Sequence, residues 1–201
     1  NKGVSIKSKQ ISILLYADDI VMLANSEIDL QCMLDRLNDW CCRWGLKVNI
    51  SKTKVVHYRP KHVSRTKFVF KCGDENIDVI DKYKYLGLWF TEDISFDYMV
   101  KQVAASAQRA LGYLISKAKC IGGFTYECFS HLYDSLVQSI LDYGVCIWGH
   151  ADLTCIQAVQ NRAMHFFLGL HYKASTTALQ GEMGWLPNSV RQWSCIARQF
   201  C

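Results

Sequence analysis

The sequence has 201 residues, of which 50% are hydrophobic, 12% aromatic and 20% charged, and its formal net charge is +5. This composition excludes a disordered chain, because disordered segments contain few aromatic residues and too little apolar surface to bury. The chain is long enough for one domain, or for two small ones.

The start of the sequence and the length of its apolar runs indicate where the protein is located. The first ten residues are polar and basic rather than a signal peptide, and no apolar run is long enough to span a bilayer. We therefore expect an intracellular protein of the nucleus or cytoplasm that is not secreted and has no membrane partner. The first residue is Asn rather than Met, which favours a fragment or a processed product.

The ten cysteines do not form a recognisable zinc motif, because no pair has the C-x-x-C spacing. Several lie on apolar faces of predicted helices, which favours free buried thiols in a reducing compartment. Cys195 and Cys201 have a spacing that would also suit the start of a metal knuckle continuing past the end of the sequence.

Two apolar runs near the start predict a tight β-hairpin. They span residues 11–16 and 20–24, and only Ala17, Asp18 and Asp19 separate them. So short a polar link between two apolar strands is typical of a hairpin turn. We therefore expect the two carboxylates at an exposed tip whose direction is fixed by hydrophobic strands.

An amphipathic helix is predicted next, over residues 26–44. Ser26 is a good N-cap, acidic residues occupy the first turn, and Gly45 ends the helix. Its apolar residues recur every three or four positions: Leu30, Met33, Leu34, Leu37, Trp40, Cys41 and Trp44. We expect this helix to pack under the hairpin's sheet, with Trp40 and Trp44, and also Trp148, in the core.

The remaining pattern divides into strands and then helices, with a switch near residues 92–96. Strands are predicted at 55–58, 68–71, 79–80 and 83–90, the last one broken at Gly87. Helices are predicted from Asp97 to the Gly122-Gly123 pair, after the caps Thr125 and Thr154, and over residues 176–183 and 188–200.

A run of basic residues without any acidic residue follows the first helix: Lys52, Lys54, Arg59, Lys61, Arg65 and Lys67. Such a run can follow a phosphate backbone, because each cation that meets a phosphate releases a counterion. It can equally be a solvated face.

The segment Tyr16-Ala17-Asp18-Asp19 carries the chemistry. Asp is a common turn residue, so these four residues alone are weak evidence for a catalytic site. The apolar flanks strengthen the case, because hard divalent cations prefer carboxylate oxygens on a rigid support. An apolar strand, Tyr-Ala-Asp-Asp and a second apolar strand resemble the catalytic hairpin of reverse transcriptases. The later segments described below narrow the resemblance to those of non-LTR (LINE-type) retrotransposons.

Further stretches resemble the same family in the expected order. Gly45-Leu46-Lys47-Val48-Asn49 with Ser51-Lys52-Thr53-Lys54 is similar to the next palm motif, and Lys84-Tyr85-Leu86-Gly87 to the primer grip. The later segments are similar to the thumb and the region after it: Leu141-Asp142-Tyr143-Gly144 with Trp148, Ile156-Gln157 with Gln160-Asn161-Arg162-Ala163, and Gly184-Trp185-Leu186-Pro187.

The resemblance implies roles for single residues. Asp18 would bind the catalytic Mg²⁺ ions of a two-metal site, Asp19 would assist metal or primer-end binding, and Tyr16 and Ala17 would lie near the primer terminus. Lys52 or Lys54 would lie near the nucleotide phosphates, with the choice between them open. Tyr85, Leu86 and Gly87 would position the primer, while Arg59, Lys61, Arg65 and Lys67 would contact nucleic-acid backbone. Lys52 and Lys54 also fit as surface lysines, and Tyr85 and Leu86 as core residues.

The implied fold is α+β, an antiparallel palm sheet with a packed helix followed by an all-helical thumb. Its domains would be the end of the palm (1–92), the thumb (93–170) and a helical connector (171–201). The implied function is RNA-directed DNA polymerisation, with an RNA template, a DNA primer and deoxynucleoside triphosphates. The family also needs an upstream palm strand with another Asp, and fingers. We therefore expect only half a metal site here, and a chain that is inactive by itself.

Two alternatives remain open from the sequence. One is a catalytically inactive, domesticated remnant that still binds nucleic acid. The other is a helical interaction module in which the hairpin is incidental.

Overall fold

A computed structural model describes residues 3–171 and 173–199. The chain forms two compact units, Asn1–Tyr83 and Lys84–Cys201, and the division falls within one strand. The fold is α+β, because the strands of the described residues precede residue 92 and all helices but one follow it. The domain boundaries expected at 92 and 170 stay predictions. The knuckle that would use Cys201 lies outside the described residues.

The strands form five separate pairs rather than one antiparallel sheet. Three antiparallel pairs are β1 (Val4–Ile6) with β2 (Lys9–Ile11), β3 (Ile13–Tyr16) with β4 (Asp19–Met22), and β6 (Phe70–Cys72) with β7 (Glu75–Ile77). The short strands β5 (Val55–Val56) and β8 (Val79–Ile80) pair in parallel. The last pair is β9 (Lys82–Tyr85) with β10 (Leu88–Thr91). The described residues therefore form separate two-stranded pairs where the resemblance implied an antiparallel palm sheet, while the α+β class is confirmed.

Two local patterns differ from the sequence prediction. The opening β1–β2 hairpin was missed, because each of its strands has only three residues, fewer than the runs from which strands are predicted. Residues 83–90 form most of a hairpin rather than one broken strand. Its turn residues, Leu86 with φ +47° and Gly87 with φ +81°, both have the left-handed backbone that tight hairpin turns require.

The predicted first helix is confirmed as α1 (Glu27–Arg43). Ser26 is its N-cap, and the Ser26 side chain accepts a hydrogen bond from the backbone N–H of Asp29. Gly45 follows the helix with φ +66°, as a helix end favours.

The structure changes part of the expectation that α1 packs under the β3–β4 hairpin: Met22 of β4 lies against the core that α1 helps to form, but the main partner of the helix is another strand. The helix packs on β6, and the core of this unit consists of Leu34, Phe70, Cys72 and Ile77. Trp40 and Trp44 are 45% and 70% exposed, so the prediction that they are core residues is wrong. The helix is about 25 Å long, whereas its partner strand has three residues. The apolar stripe therefore continues beyond the surface that could cover it.

The second unit is helical after β10. Its helices are α2 (Asp97–Ile121), α3 (Tyr126–Tyr133), α4 (Ser139–Asp142), α5 (Val145–Trp148), α6 (Thr154–Leu168), α7 (Thr176–Met183) and α8 (Asn188–Gln199). A π-helical segment, Asp134–Gln138, joins α3 to α4 and was not predicted. Gly122 ends α2 with φ +84°, and Thr125 caps α3, as predicted.

The start of α6 differs in detail from its prediction. Thr154 is the first helical residue rather than the cap. Its backbone N–H and its hydroxyl both donate to Asp152 Oδ1, at 2.9 and 2.6 Å. These hydrogen bonds to the charged form lower the pKa of the Asp152 carboxyl.

The core of the helical unit centres on α2 and α6, which pack on each other. Ala107, Leu111 and Val159 are fully or almost fully buried there. Trp148 is also fully buried, as predicted, and its indole N–H donates to the carbonyl oxygen of Tyr143 at 2.9 Å. Within the part of the chain that the structure describes, no helix has the length and apolar character needed to cross a membrane.

Candidate active site

The β3–β4 hairpin places the two predicted acids at its tip. The register pairs Tyr16 with Asp19, so Ala17 and Asp18 form the two-residue turn. Ala17 has φ +50°, an uncommon conformation for a residue with a Cβ that costs about 1–2 kcal/mol. Such strained positions cluster at functional sites.

The strands of this hairpin are apolar on both faces, and most of their side chains are exposed, although Met22 packs on the core of this unit. Leu14 and Leu15 are 47% and 70% exposed, and neighbouring strand residues point to opposite faces. Tyr16 and Ile20 are exposed as well. An exposed apolar surface of this kind marks a contact site for another segment of protein.

The carboxylates of Asp18 and Asp19 are exposed and available to a ligand. Within residues 3–171 and 173–199, neither forms a hydrogen bond or an ion pair through its side chain. Their oxygens are the donors that Mg²⁺ prefers. Across the same residues, no group of three His, Cys, Asp or Glu side chains is close enough to hold a metal.

The turn after α1 distinguishes the two candidate lysines. Asn49 holds it, accepting hydrogen bonds from the Ser51 hydroxyl at 2.7 Å and the Lys52 N–H at 3.3 Å. The hydroxyl of Tyr83 donates to the carbonyl oxygen of Lys52 at 2.7 Å. The Lys52 backbone is therefore fixed while its ammonium is exposed and, among the described residues, has no acidic partner.

Lys54 has a different environment. Its side chain is 20% exposed, and its ammonium lies 2.6 Å from Asp78 Oδ2. The positive charge of Lys54 is therefore already paired with a carboxylate of the same unit. Lys52 and Lys54 therefore have different environments, a difference that the sequence did not reveal.

The rest of the basic run lies in the loop between β5 and β6. Lys61 and Lys67 are exposed, whereas Arg59 and Arg65 are half-buried. The Arg59 guanidinium donates to the carbonyl oxygen of Val63. Part of the run therefore organises the loop itself.

The turn of the predicted primer grip belongs to the helical unit. Tyr85 is half-buried, and Leu86 and Gly87 are exposed. The hydroxyl of Tyr143 donates to the carbonyl oxygen of Leu86 at 2.7 Å. Sequence reasoning quoted Tyr143 only as part of a motif and missed this contact. No local signal in the sequence links Tyr143 to this turn, which lies 57 residues away.

The first half of the chain matches a known protein family. Residues 3–90 match the family described as reverse transcriptase (RNA-dependent DNA polymerase). Residues 3–90 belong to this reverse transcriptase family, and the relatives of the chain are polymerases and Pol polyproteins of non-LTR retrotransposons. The matched segment contains the hairpin, the Asn49 turn and the basic run.

Similarity to individual proteins extends over most of the chain. It is 29% identical over 177 residues to a probable RNA-directed DNA polymerase from transposon BS of Drosophila melanogaster, covering 84% of this chain and 20% of that protein. It is 26% identical over 192 residues to a Pol polyprotein from the type-1 retrotransposable element R1 of Nasonia vitripennis, covering 87% and 56%. Against the element R2 protein of Bradysia coprophila it is 30% identical over 100 residues, covering 45% and 12%. The reverse transcriptase chain thus spans between about an eighth and just over half the length of these relatives.

Proposed function

We propose that this chain is a catalytic segment of an RNA-directed DNA polymerase, which copies an RNA template by extending a DNA primer with deoxynucleoside triphosphates. One observation carries the proposal: Asp18 and Asp19 stand with free, exposed carboxylates at the tip of an apolar hairpin in a reverse transcriptase chain. The named activity of the relatives supports it.

The two acids have separable roles in this proposal. Asp18 lies in the turn and binds the catalytic Mg²⁺ directly, while Asp19, the first residue of β4, supports the metal or the primer end. Bound Mg²⁺ supplies the positive charge that stabilises the attacking and leaving oxygens. Tyr16 and Ala17 lie beside the primer terminus, where the strained turn keeps the carboxylates in place.

The uncovered faces of the hairpin indicate what completes the site. We propose that Leu14, Leu15 and Ile20 pack against an upstream palm segment that brings a further Asp, next to nucleotide-binding fingers. Two adjacent acids on one hairpin are too few to hold two ions, because each Mg²⁺ takes an octahedral set of oxygen ligands. Residues 1–92 would then be the end of the palm, 93–170 the thumb beside the product duplex, and 171–201 a connector.

For the nucleotide-side lysine we propose Lys52 rather than Lys54. Its backbone is held by Asn49 and Tyr83 and its ammonium is free among the described residues, whereas Lys54 is paired with Asp78. A fixed backbone with a free cation suits the binding of a phosphate.

The remaining assigned residues act on the nucleic-acid strands. We propose that Tyr85, Leu86 and Gly87 position the primer, and that the basic loop contacts backbone phosphates through Arg59, Lys61, Arg65 and Lys67.

A primer-extension assay tests the function. The 201-residue chain is assayed alone and with the upstream segment of its parent protein, fused or added in trans, on a primed RNA template with Mg²⁺. We expect extension only with the upstream segment, and loss of it on Asp18→Ala. Asp74→Asn, an exposed acid in the turn between β6 and β7, is the matched control and should leave the rate unchanged.

Two outcomes would contradict the proposal. Extension by the completed protein that survives Asp18→Ala would remove the hairpin from the catalytic site. Extension by the 201-residue chain alone, abolished by Asp18→Ala, would show that the chain needs no further carboxylate.

A further inference from the structure

The corner between α4 and α5 aims a side chain at the turn assigned to the primer. Tyr143 leaves α4 with an extended backbone, φ −65° and ψ 118°, and Gly144 follows with φ +64°. The Tyr143 hydroxyl donates to the carbonyl oxygen of Leu86 at 2.7 Å, and its ring lies against Gly87. The position of this corner therefore decides where the turn is held.

The residue before Tyr143 has both of its carboxylate oxygens engaged. Gln138 Nε2 donates to Asp142 Oδ1 at 2.8 Å, and Arg191 Nε donates to Asp142 Oδ2 at 3.0 Å. Hydrogen bonds to an ionised group are shorter and stronger than neutral ones, and the Asp142 side chain is only 24% exposed. Asp142 is therefore fixed from two elements, the π-helical segment and α8.

The two donors are themselves held in place. Gln138 is buried, and its Nε2 also donates to Oδ1 of the fully buried Asn188 at 3.2 Å. The backbone N–H of Asn188 donates to Gln157 Oε1 at 3.1 Å, which ties the start of α8 to α6. Arg191 has a second acid nearby, since its Nη1 lies 3.6 Å from Asp134 Oδ1. The helix α8 thus presents the guanidinium in a fixed geometry.

The other side of the corner is closely packed. The indole N–H of the fully buried Trp148 donates to the carbonyl oxygen of Tyr143 at 2.9 Å. A Cβ on Gly144 would lie 2.6 Å from Leu88 Cδ2, so the backbone approaches Leu88 as closely as a glycine allows. Closely packed interiors transmit a displacement because they have little free volume to absorb it. A shift of Asp142 would therefore move the Tyr143 side chain.

We propose that Arg191 is a positioning residue for the turn at Leu86 and Gly87, acting through Asp142 and Tyr143. Arg191 touches neither primer nor metal in this proposal; it fixes the direction of the Tyr143 ring and hydroxyl. The assignment of the turn to the primer rests on the proposed function, whereas the chain of contacts does not. The inference gives α8 a part in placing the primer end.

The first measurement uses the 201-residue chain without nucleic acid and follows hydrogen exchange of the backbone amides of residues 86–88 by NMR. Arg191→Gln should speed their exchange about fivefold, the effect of losing roughly one hydrogen bond. Arg198→Gln is the matched control, because Arg198 is an exposed residue of the same helix without an ion pair among the described residues. It should leave these amides unchanged, and the amides of α2 should exchange equally in all variants.

The second measurement asks whether the effect passes through Tyr143. This side chain is 54% exposed, so Tyr143→Ala removes the ring and hydroxyl without emptying the core. In that background Arg191→Gln should add nothing to the exchange of residues 86–88, since the side chain through which it acts is gone. An effect that persists at full size without the Tyr143 ring would overturn the proposal, as would equal effects of Arg191→Gln and Arg198→Gln.

The third measurement uses the polymerase completed with the upstream segment. Arg191→Gln should lower kcat for primer extension about three- to tenfold by misplacing the primer end, and should leave the KM for nucleotide unchanged. Arg198→Gln should change neither. An unchanged kcat for Arg191→Gln would overturn its role in placing the primer. The exchange data require no activity, so a completed protein that extends no primer would count against the proposed function alone.

Discussion

The hydroxyl of Tyr143 reaches back across the sequence to hold Leu86, donating to its carbonyl oxygen at 2.7 Å. The Tyr143 ring also lies against Gly87, with Cε1 2.9 Å from the position that a Cβ on Gly87 would occupy. One aromatic side chain thus fixes a turn whose two residues both have positive φ. The hydrogen bond and the ring contact together hold the turn in this conformation, and substituting Gly87 measures the contribution of the ring contact.

Gly87→Ala should destabilise the chain by about 1–3 kcal/mol, from left-handed strain and from displacement of the Tyr143 ring. Gly122→Ala is the matched control, because Gly122 has a similar φ of +84° but no atom within 4 Å of the position that its own Cβ would occupy. Urea unfolding measures both. If Gly87→Ala lowered the unfolding free energy no more than Gly122→Ala, the Tyr143 ring would be displaced at no cost in free energy.

Lys52 and Lys54, the two lysines of the turn after α1, should give opposite results in an unfolding assay and in a kinetic assay. Lys54→Gln removes the ion pair with Asp78 and should lower the unfolding free energy by up to about 1 kcal/mol, as expected for a partly exposed pair. Lys52→Gln should leave stability unchanged and raise the KM for nucleotide in the completed polymerase. Steady-state kinetics with both variants decide the assignment, and a larger KM effect for Lys54→Gln would reverse it.

The basic loop should give salt-dependent affinity for nucleic acid. Changing Lys52, Lys54, Arg59, Lys61, Arg65 and Lys67 to Gln should flatten the dependence of log K on log salt. The slope should change by less than the loss of six phosphate contacts would predict. The reason is that Lys54 is already paired with Asp78 and that Arg59 already donates to the carbonyl oxygen of Val63. Binding titrations at several salt concentrations measure the slope, and an unchanged slope would make the loop an ordinary solvated face.

Local signals made the secondary structure predictable where they were strong. Ser26 marked a helix start, Gly122 marked a helix end, and two apolar runs around Ala17 marked a hairpin. Each signal acts within a few residues, so it survives whatever tertiary structure surrounds it.

The contacts that organise the sites could not be predicted in the same way. The hydrogen bond between Tyr143 and Leu86 joins residues 57 positions apart, and no local pattern encodes such a pairing. The exposure of Trp44 is of the same kind, because an apolar stripe reveals which face a helix would bury but not how far its partner extends.

Alkaline pH should destabilise the chain. Burial raises the pKa of the Tyr133 phenol, and also those of the Cys72 and Cys155 thiols. A raised pKa means that the folded state retains protons that the unfolded state releases, so stability is full below the unfolded pKa values and is lost as pH rises. The loss should begin near pH 8.5 for the thiols and near pH 10 for the phenol, which are about the ordinary pKa values of these groups.

Tyr133→Phe tests the phenol's share of this effect. Unfolding in urea between neutral pH and about pH 11, above the ordinary phenol pKa, should show a shallower alkaline loss for the variant when reductant is present. At neutral pH its stability should change little, since the ring packing against Trp185 is retained. An identical alkaline loss in both proteins would assign the effect to the other groups whose pKa burial raises, which are the Cys72 and Cys155 thiols and the Tyr58 phenol.

The exposed hairpin should make the isolated chain self-associate. Leu15 is 70% exposed on an apolar strand, and exposed apolar strands pair with one another when their natural cover is missing. Leu15→Lys should therefore reduce association, as measured by sedimentation at increasing concentration. Leu186→Lys is the matched control: Leu186 is 64% exposed, between α7 and α8 of the helical unit, and its substitution should have little effect.

The same substitution should have the opposite consequence once the upstream segment is supplied. There the proposed contact buries Leu15, and a lysine at this position would be desolvated without a partner. Leu15→Lys should then lower both the affinity for the upstream segment added in trans and the rate of primer extension, whereas Leu186→Lys should spare both. If Leu15→Lys improved solubility yet left extension unchanged, the face that carries Leu15 would not be the one that the upstream segment covers.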